Sequence, residues 1–363
     1  MSFRISGVGT AVPRELITQD DAARLAIELA GQVECHAPAI QTLYRKTGVR
    51  KRHSTLITSS TNGQPATQTF FPVATDLNDR GPTTGDRMRR YEQAALDLAT
   101  QAARVALNNS KALPGEIAYL VTVSCTGFSA PGVDIGLVES LGLNRGVSRT
   151  HVGFMGCHGA LNGLRVAAAL SHSTQASKVL LCCVELCSLH HKYAANAQQV
   201  VANALFSDGA AAIVGASADS CADRWRIIDQ FSYVLPETAG LMAWRIGDNG
   251  FDMRLSPQVP GVIKQMLKPW LCGQLARHSI EVEDIRSWAI HPGGPRILTA
   301  CADSLGLDHA CLGPSQEVLA DYGNMSSPTI LFIVDRLRAQ ANSLPCVMLA
   351  FGPGLTIEAA LIA

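Results

Sequence analysis

The sequence has no excess charge of either sign. Its 30 Lys and Arg offset 30 Asp and Glu, for a formal net charge of +0. That balance excludes binding to nucleic acid or an anionic membrane surface through bulk charge. Only a local basic patch remains to hold a small anionic substrate. Long hydrophobic runs are also missing. No window reaches the roughly 18 apolar residues of a spanning helix. The start, MSFRISGVGTAVP, lacks the apolar stretch of a secretory signal. The 11 cysteines are odd in number and show no framework spacing, so a reduced, cytoplasmic chain with free thiols is expected. Cys182, Cys183, Cys187, His190 and His191 crowd together, but at no zinc spacing, and most fall in one strand. No P-loop or dinucleotide fingerprint occurs.

What the chain does have is apolar content and alternation. It is 47% hydrophobic and 17% charged over 363 residues, enough for one large core or two ordinary ones. Short apolar runs recur at Ala118 to Val123, Val179 to Leu186, Ala210 to Val214, Trp288 to Ile290, Val347 to Phe351 and Leu355 to Ile362. Their length and β-branched content predict buried strands. Tyr91 to Asn108 and Gly159 to Leu170 read as helices, the second apolar nearly all round and therefore buried. Strands alternating with helices imply an α/β fold. Ser54 to Asp86 is rich in Thr, Ser, Asn, Gly and Pro and reads as a long surface excursion, either covering a site or inert. DGAAAIVG near 208–215 and GPGLTIEAALIA near 352–363 echo one another as a Gly turn followed by an apolar strand, as two copies of one unit would.

Three residues carry the strongest chemical signals. Cys157, in GFMGCHGALNGLRVAAAL, follows a strand-like approach and opens a helix. A helix N-terminus favours the thiolate, although most cysteines are simply buried. His291, in AIHPGGPRIL, ends a short strand beside a Gly-rich turn, where α/β folds place active sites. An imidazolium there suits a distant thiolate. Asn324, in DYGNMSSPTILFIVDRL, is either a turn residue or an amide donor aimed at an oxyanion.

Taken together, GFMGCHGALNGLRVA, ALFSDGAAAIV, HPGGPRIL, YGNMSSPTILFIVDRL and FGPGLTIEAALI resemble the chalcone synthase-like type III polyketide synthases of the thiolase superfamily, in a bacterial-type member. The resemblance runs from about residue 150 to the C-terminus, with weaker matches at RYEQAALDLA and LYRKTGVRKRH. It implies that Cys157 takes an acyl group from an acyl-CoA. His291 and Asn324 would bind the malonyl-CoA thioester and stabilise the enolate left by decarboxylation. That enolate would then attack the Cys157 thioester. It further implies gatekeeper phenylalanines at Phe206 and Phe251, a CoA-phosphate contact at Lys46 supported by Arg50, Lys51 and Arg52, and a substrate contact at Ser326. Cys125 and Cys187 stand where plant members carry cavity threonines. Ala130 replaces a methionine that reaches across a homodimer.

ELCSLHH is similar to members that take fatty acyl starters, so a pyrone or resorcinol-type phenolic product is expected rather than a chalcone. The implied architecture is a thiolase-like αβαβα sandwich of two similar α/β halves, residues 1–220 with the nucleophile and 221–363 with His291 and Asn324. The implied partners are CoA thioesters and a second copy of the chain. No metal or permanently bound cofactor is implied. Two other readings compete: a ketoacyl-ACP synthase III-like condensing enzyme, and a non-catalytic acyl-binding paralogue.

Overall fold

A computed structural model describes residues 2–31, 37–58, 66–172, 177–193, 196–218, 225–341 and 343–363. In chain order, the first part contains β1 (Ser2–Ala11), β2 (Leu16–Thr18), α1 (Gln19–Ala30), α2 (Ala37–Lys46), β3 (Lys51–His53), β4 (Ile57–Thr58), β5 (Thr67–Gln68) and α3 (Thr84–Ser110). Then come β6 (Ile117–Ser124), α4 (Val133–Leu141), β7 (Ser148–Gly153), α5 (Gly159–Ser171), β8 (Lys178–Leu186), α6 (Ala197–Leu205) and β9 (Asp208–Ala218). The second part holds β10 (Arg226–Val234), β11 (Met242–Gly247), β12 (Gly250–Leu255), α7 (Val259–Ala276), β13 (Ser287–Ile290) and α8 (Pro295–Leu305). It closes with α9 (Gly313–Tyr322), α10 (Thr329–Arg338), β14 (Cys346–Gly352) and β15 (Thr356–Ile362). Each apolar run named above lies on one of these strands, Leu355 excepted, which precedes β15.

Nine strands form one mixed sheet in the order β13-β14-β15-β10-β1-β9-β8-β6-β7. The order repeats itself. In the first part, β6 and β8 are parallel, and β9 and β1 follow antiparallel. In the second, β13 and β14 are parallel, and β15 and β10 follow antiparallel. The two sequence echoes, β9 and β15, therefore occupy equivalent places. The parts join where β1 meets β10, at Phe3 and Ile227. The expected division between 220 and 221 lies outside the described residues.

Side-chain alternation along the strands builds five layers. Val179, Leu181 and Cys183 of β8, with Cys346, Met348 and Ala350 of β14, face a central core that holds α5 and α10. Leu180, Cys182 and Val184 turn the other way, onto α3. Val347, Leu349 and Phe351 turn onto α7 and α8. The thiolase-like αβαβα arrangement follows, and it explains why α5 is apolar nearly all round: it lies in the core between the two halves of the sheet.

Two expectations change. Helix α3 begins at Thr84 rather than near Tyr91, because Thr83 and Asp86 close a reciprocal capping box. The stretch after Ser54 is not a surface excursion throughout. Leu56, Ile57, Ala66, Phe71 and Ala74 are buried, packing the segment onto α1 and α3.

Candidate active site

The site lies where loops after β7 and β13 meet the turn before α10. Strand β7 ends in a backbone kink, with Phe154 at φ 60 and Gly156 at φ 74. A Cβ on Gly156 would also approach Pro353 Cδ to 2.8 Å, so glycine is required twice over. The kink delivers Cys157 into a 3₁₀ turn, Gly156–His158, that leads directly into α5. His291 follows β13 as Cys125 follows β6. Its backbone N–H donates to Leu349 O at 2.8 Å, and its ring is buried. Asn324 is buried too, and its Oδ1 accepts the Ser326 N–H at 2.8 Å. Its side chain acts on Cys157 in the direction of the thiolate, lowering the thiol's pKa.

Cys157, His291 and Asn324 line one small cavity of about 30 Å³, together with Phe206, Met242 and Met253. Both His291 nitrogens are buried without a hydrogen-bond partner in the protein, so the ring is available to whatever enters. Burial pushes the Cys157 thiol up to about 11, although hydrogen bonds from Ser326 and Asn324 pull the other way. Burial, with the neighbouring His158 adding to it, brings His291 down to about 3. Both shifts arise from desolvation, which opposes the charged thiolate and imidazolium that the helix N-terminus and the pairing of the two groups favour.

Cys157, Phe206, Met242 and Met253 also line a second cavity of about 130 Å³, so these four side chains stand between the two. Cys125, Cys187 and Ser326 line this larger space. Ser326 Oγ lies 3.4 Å from Cys125 Sγ. Beyond them the walls are Ile17, Ala22, Leu25, Ala26 and Leu29 from α1 and its approach, with Leu56, Ile57 and Phe71 from the Thr/Ser-rich segment. Of the two readings of that segment, the described part covers a site.

Some expected residues lie elsewhere. Phe251 is fully buried and lines neither cavity. It stacks on His190 at 4.1 Å between centroids, while Met253, two residues along β12, lines both cavities. Arg52 is not part of an exposed basic cluster. It is 7% exposed, and its guanidinium donates to the carbonyls of Asn203 and Phe206. Arg50 is paired with Asp321 at 2.8 Å. Lys46 is exposed at the end of α2 and Lys51 is exposed on β3.

Sequence reasoning missed Glu185. This buried carboxylate accepts from Cys125 N at 2.9 Å, Thr126 Oγ1 at 2.7 Å and Ser327 Oγ at 2.6 Å. Burial raises its pKa against those donors. The signal was a lone acid inside the apolar run of β8, which only internal partners can stabilise. Among the described residues there is no group of three or more side chains able to hold a metal, and no helix long and apolar enough to cross a membrane.

Two family models cover nearly the whole chain: the N-terminal domain of chalcone and stilbene synthases over residues 3–218, and the C-terminal domain over residues 227–363. The chain belongs to the chalcone and stilbene synthase family. It is 35% identical to the alpha-pyrone synthesis polyketide synthase-like Pks18 of Mycobacterium tuberculosis, over 98% of this chain and 89% of that one. It is 32% identical to the 1,3,6,8-tetrahydroxynaphthalene synthase of Streptomyces peucetius, over 99% and 92%. The crystal structure of PKS-I from the brown alga Ectocarpus siliculosus superposes with a TM-score of 0.90 at 29% identity, covering 99% of this chain and 97% of that one. As a chalcone and stilbene synthase family member, the chain is a type III polyketide synthase, an acyltransferase.

Proposed function

We propose that Cys157, His291 and Asn324 catalyse iterative condensation of malonyl-CoA onto an alkyl-acyl starter delivered by CoA, ending in ring closure to a pyrone or resorcinol-type product. The pair separates charge when substrate arrives. His291 takes the Cys157 proton, the thiolate attacks the acyl-CoA carbonyl, and CoA leaves. The unpartnered His291 nitrogen and the Asn324 amide then face the malonyl thioester oxygen, where negative charge develops as CO₂ departs. The enolate attacks the Cys157 thioester, and the cycle repeats. Phe206 and Met253, between the two cavities, keep water from the enolate. No permanently bound cofactor enters this scheme. Lys46 and Lys51 are the exposed cations for CoA phosphates.

The observation that carries the starter assignment is the larger cavity. It leads from Cys125 and Cys187 to an apolar wall of Ala22, Leu25, Ala26 and Leu29. An alkyl chain fits that surface, at about 0.8 kcal/mol per buried methylene. The relative in Mycobacterium tuberculosis, named for alpha-pyrone synthesis, supports the product class. A homodimer is supported by edge strand β7, exposed along most of its length, with the exposed apolar Phe128, Ile135, Phe154 and Met155 nearby and Ala130 among them. The free cysteines suit a reducing cytoplasm.

The test is turnover of labelled malonyl-CoA with acyl-CoAs from acetyl to long-chain. Long-chain starters are expected to give products that vanish in Cys157→Ala. Loss of about 10²–10³ in kcat is expected for His291→Ala or Asn324→Ala. Condensation only with a carrier protein would sink the CoA reading; products from short starters alone would sink the alkyl assignment.

A further inference from the structure

The larger cavity is apolar along α1, yet several polar side chains also reach its wall. Most of them are engaged within the protein. Ser54 Oγ donates to Ser188 Oγ at 2.9 Å, and Thr126 Oγ1 donates to Glu185 at 2.7 Å. His190 uses both ring nitrogens, and Trp244 Nε1 donates to Cys125 O at 2.7 Å. Two side chains differ. Among the described residues, neither the His191 ring nor the Gln199 amide has a hydrogen-bond partner.

The backbone of His191 is already taken. Its N–H donates to Ser188 O at 3.3 Å, and its carbonyl accepts from Arg87 Nη1 at 2.9 Å. The ring is what His191 has left to offer the cavity. It packs edge-on against Phe71, with centroids 5.4 Å apart, and Phe71 belongs to the apolar wall beyond Cys125 and Cys187. The Arg87 guanidinium lies over the same Phe71 ring, 5.0 Å from its centroid.

A polar group left unpaired in an apolar cavity is costly unless the ligand supplies the partner. Burial brings the His191 ring down to about 3, and Arg87 and Arg52 push it the same way, which favours the neutral imidazole. A neutral imidazole carries one N–H and one lone pair. A carboxylate on the ligand would call for the imidazolium instead. A bare alkyl chain would leave both nitrogens unpaired. A hydroxyl donates and accepts, so it satisfies the ring in either tautomer. Gln199, in the first turn of α6, likewise carries both a donor and an acceptor.

We propose that the alkyl-acyl starter bears a hydroxyl part-way along its chain, and that His191 recognises it, with Gln199 as a second polar contact on the same cavity wall. This rests on the reading of the larger cavity as the starter site and narrows the class of starter. The packing of His191 on Phe71 puts the hydroxyl on the distal part of the chain, away from the thioester at Cys157.

The test compares dodecanoyl-CoA with a positional series of its monohydroxylated forms, in the wild type and in His191→Phe. In the wild type, at least one distal isomer is expected to exceed dodecanoyl-CoA roughly tenfold in kcat/KM, the scale of one hydrogen bond. His191→Phe is expected to erase that ratio. No preferred isomer in the wild type would overturn the proposal. So would a ratio that survives His191→Phe, even with every rate lowered, the mark of a merely structural role. Should His191→Phe fail to fold, His191→Leu decides by the same criterion. Isothermal titration of Cys157→Ala with the same acyl-CoAs reads the cavity without turnover. A hydroxyl preference in that titration, with no condensation in the wild type, would sink the polyketide scheme and leave the subsite standing. Condensation of dodecanoyl-CoA with no hydroxyl preference would sink the subsite and leave the scheme.

Discussion

Phe206 and Asn324 are tied together through their backbones. The Asn324 N–H donates to Leu205 O at 2.8 Å, and Ser207 N–H donates to Asn324 O at 3.0 Å, forming a parallel bridge between the two residues. A side chain from the first part of the chain, at the boundary of the two cavities, is thereby held in register with Asn324, which lines the smaller cavity with Cys157. Arg52 fixes the same point from the other side through Phe206 O at 3.0 Å.

Arg52 therefore matters through geometry rather than through charge on a phosphate. Arg52→Met leaves the Asn203 and Phe206 carbonyls without their donor, at a cost of about 1.5–3 kcal/mol for a hydrogen bond to a charged group. Urea unfolding is expected to show that loss, and kcat is expected to fall more than the KM for malonyl-CoA rises. A variant that only raises KM would place Arg52 on the CoA phosphates after all.

Phe251 and Met253 are neighbours on β12 with opposite fates. Phe251→Ala opens a hole beside His190 and Trp244 and is expected to cost about 3–5 kcal/mol of stability. Met253→Ala is expected to cost less stability and to change kcat/KM and the ratio of decarboxylation to condensation. Thermal denaturation beside product analysis separates the two, and the reverse pattern would return the gatekeeper role to Phe251.

Ala26 lies on the cavity wall supplied by α1. Ala26→Phe fills the far end. Excluding four methylenes forfeits roughly 3 kcal/mol, about a hundredfold in kcat/KM for long acyl-CoAs. Short starters are expected to keep their rates. Equal losses for all chain lengths would show that the tail does not lie along α1.

His190 links the fold to pH. Its Nε2–H donates to Thr126 O at 2.6 Å, and its Nδ1 accepts the Phe251 N–H at 3.0 Å, which locks the neutral tautomer. Burial takes its pKa down to about 3. The unfolded chain therefore binds this proton first, so stability is present above the usual value near 6.5 and is lost as pH falls toward 3. In His190→Gln, the slope of unfolding free energy between pH 6 and pH 4 is expected to be smaller by about 1.4 kcal/mol per pH unit. An unchanged slope would mean the ring is charged in the fold.

By itself the sequence determined the apolar strands β6, β8, β9, β13, β14 and β15, the helices α3 and α5, the α/β class, and the candidates Cys157, His291 and Asn324. These signals are local: a run of apolar residues, a glycine where the chain must kink, a polar residue at the mouth of an element. Even Glu185 was legible in principle, as a lone acid in an apolar strand. Only the tertiary structure decided which neighbours each side chain would meet. It set Met253 rather than Phe251 against the cavities, although both lie on one face of β12, because Phe251 is covered by its stack on His190. It drew Arg52 inward to carbonyls from α6 and its C-terminal end, far away in sequence. It folded the described part of the Thr/Ser-rich segment over an apolar cavity and buried His291, which opposes a charge on its ring. Burial and hydrogen-bond satisfaction depend on what distant segments bring to a point in space, and no window of the sequence contains that information.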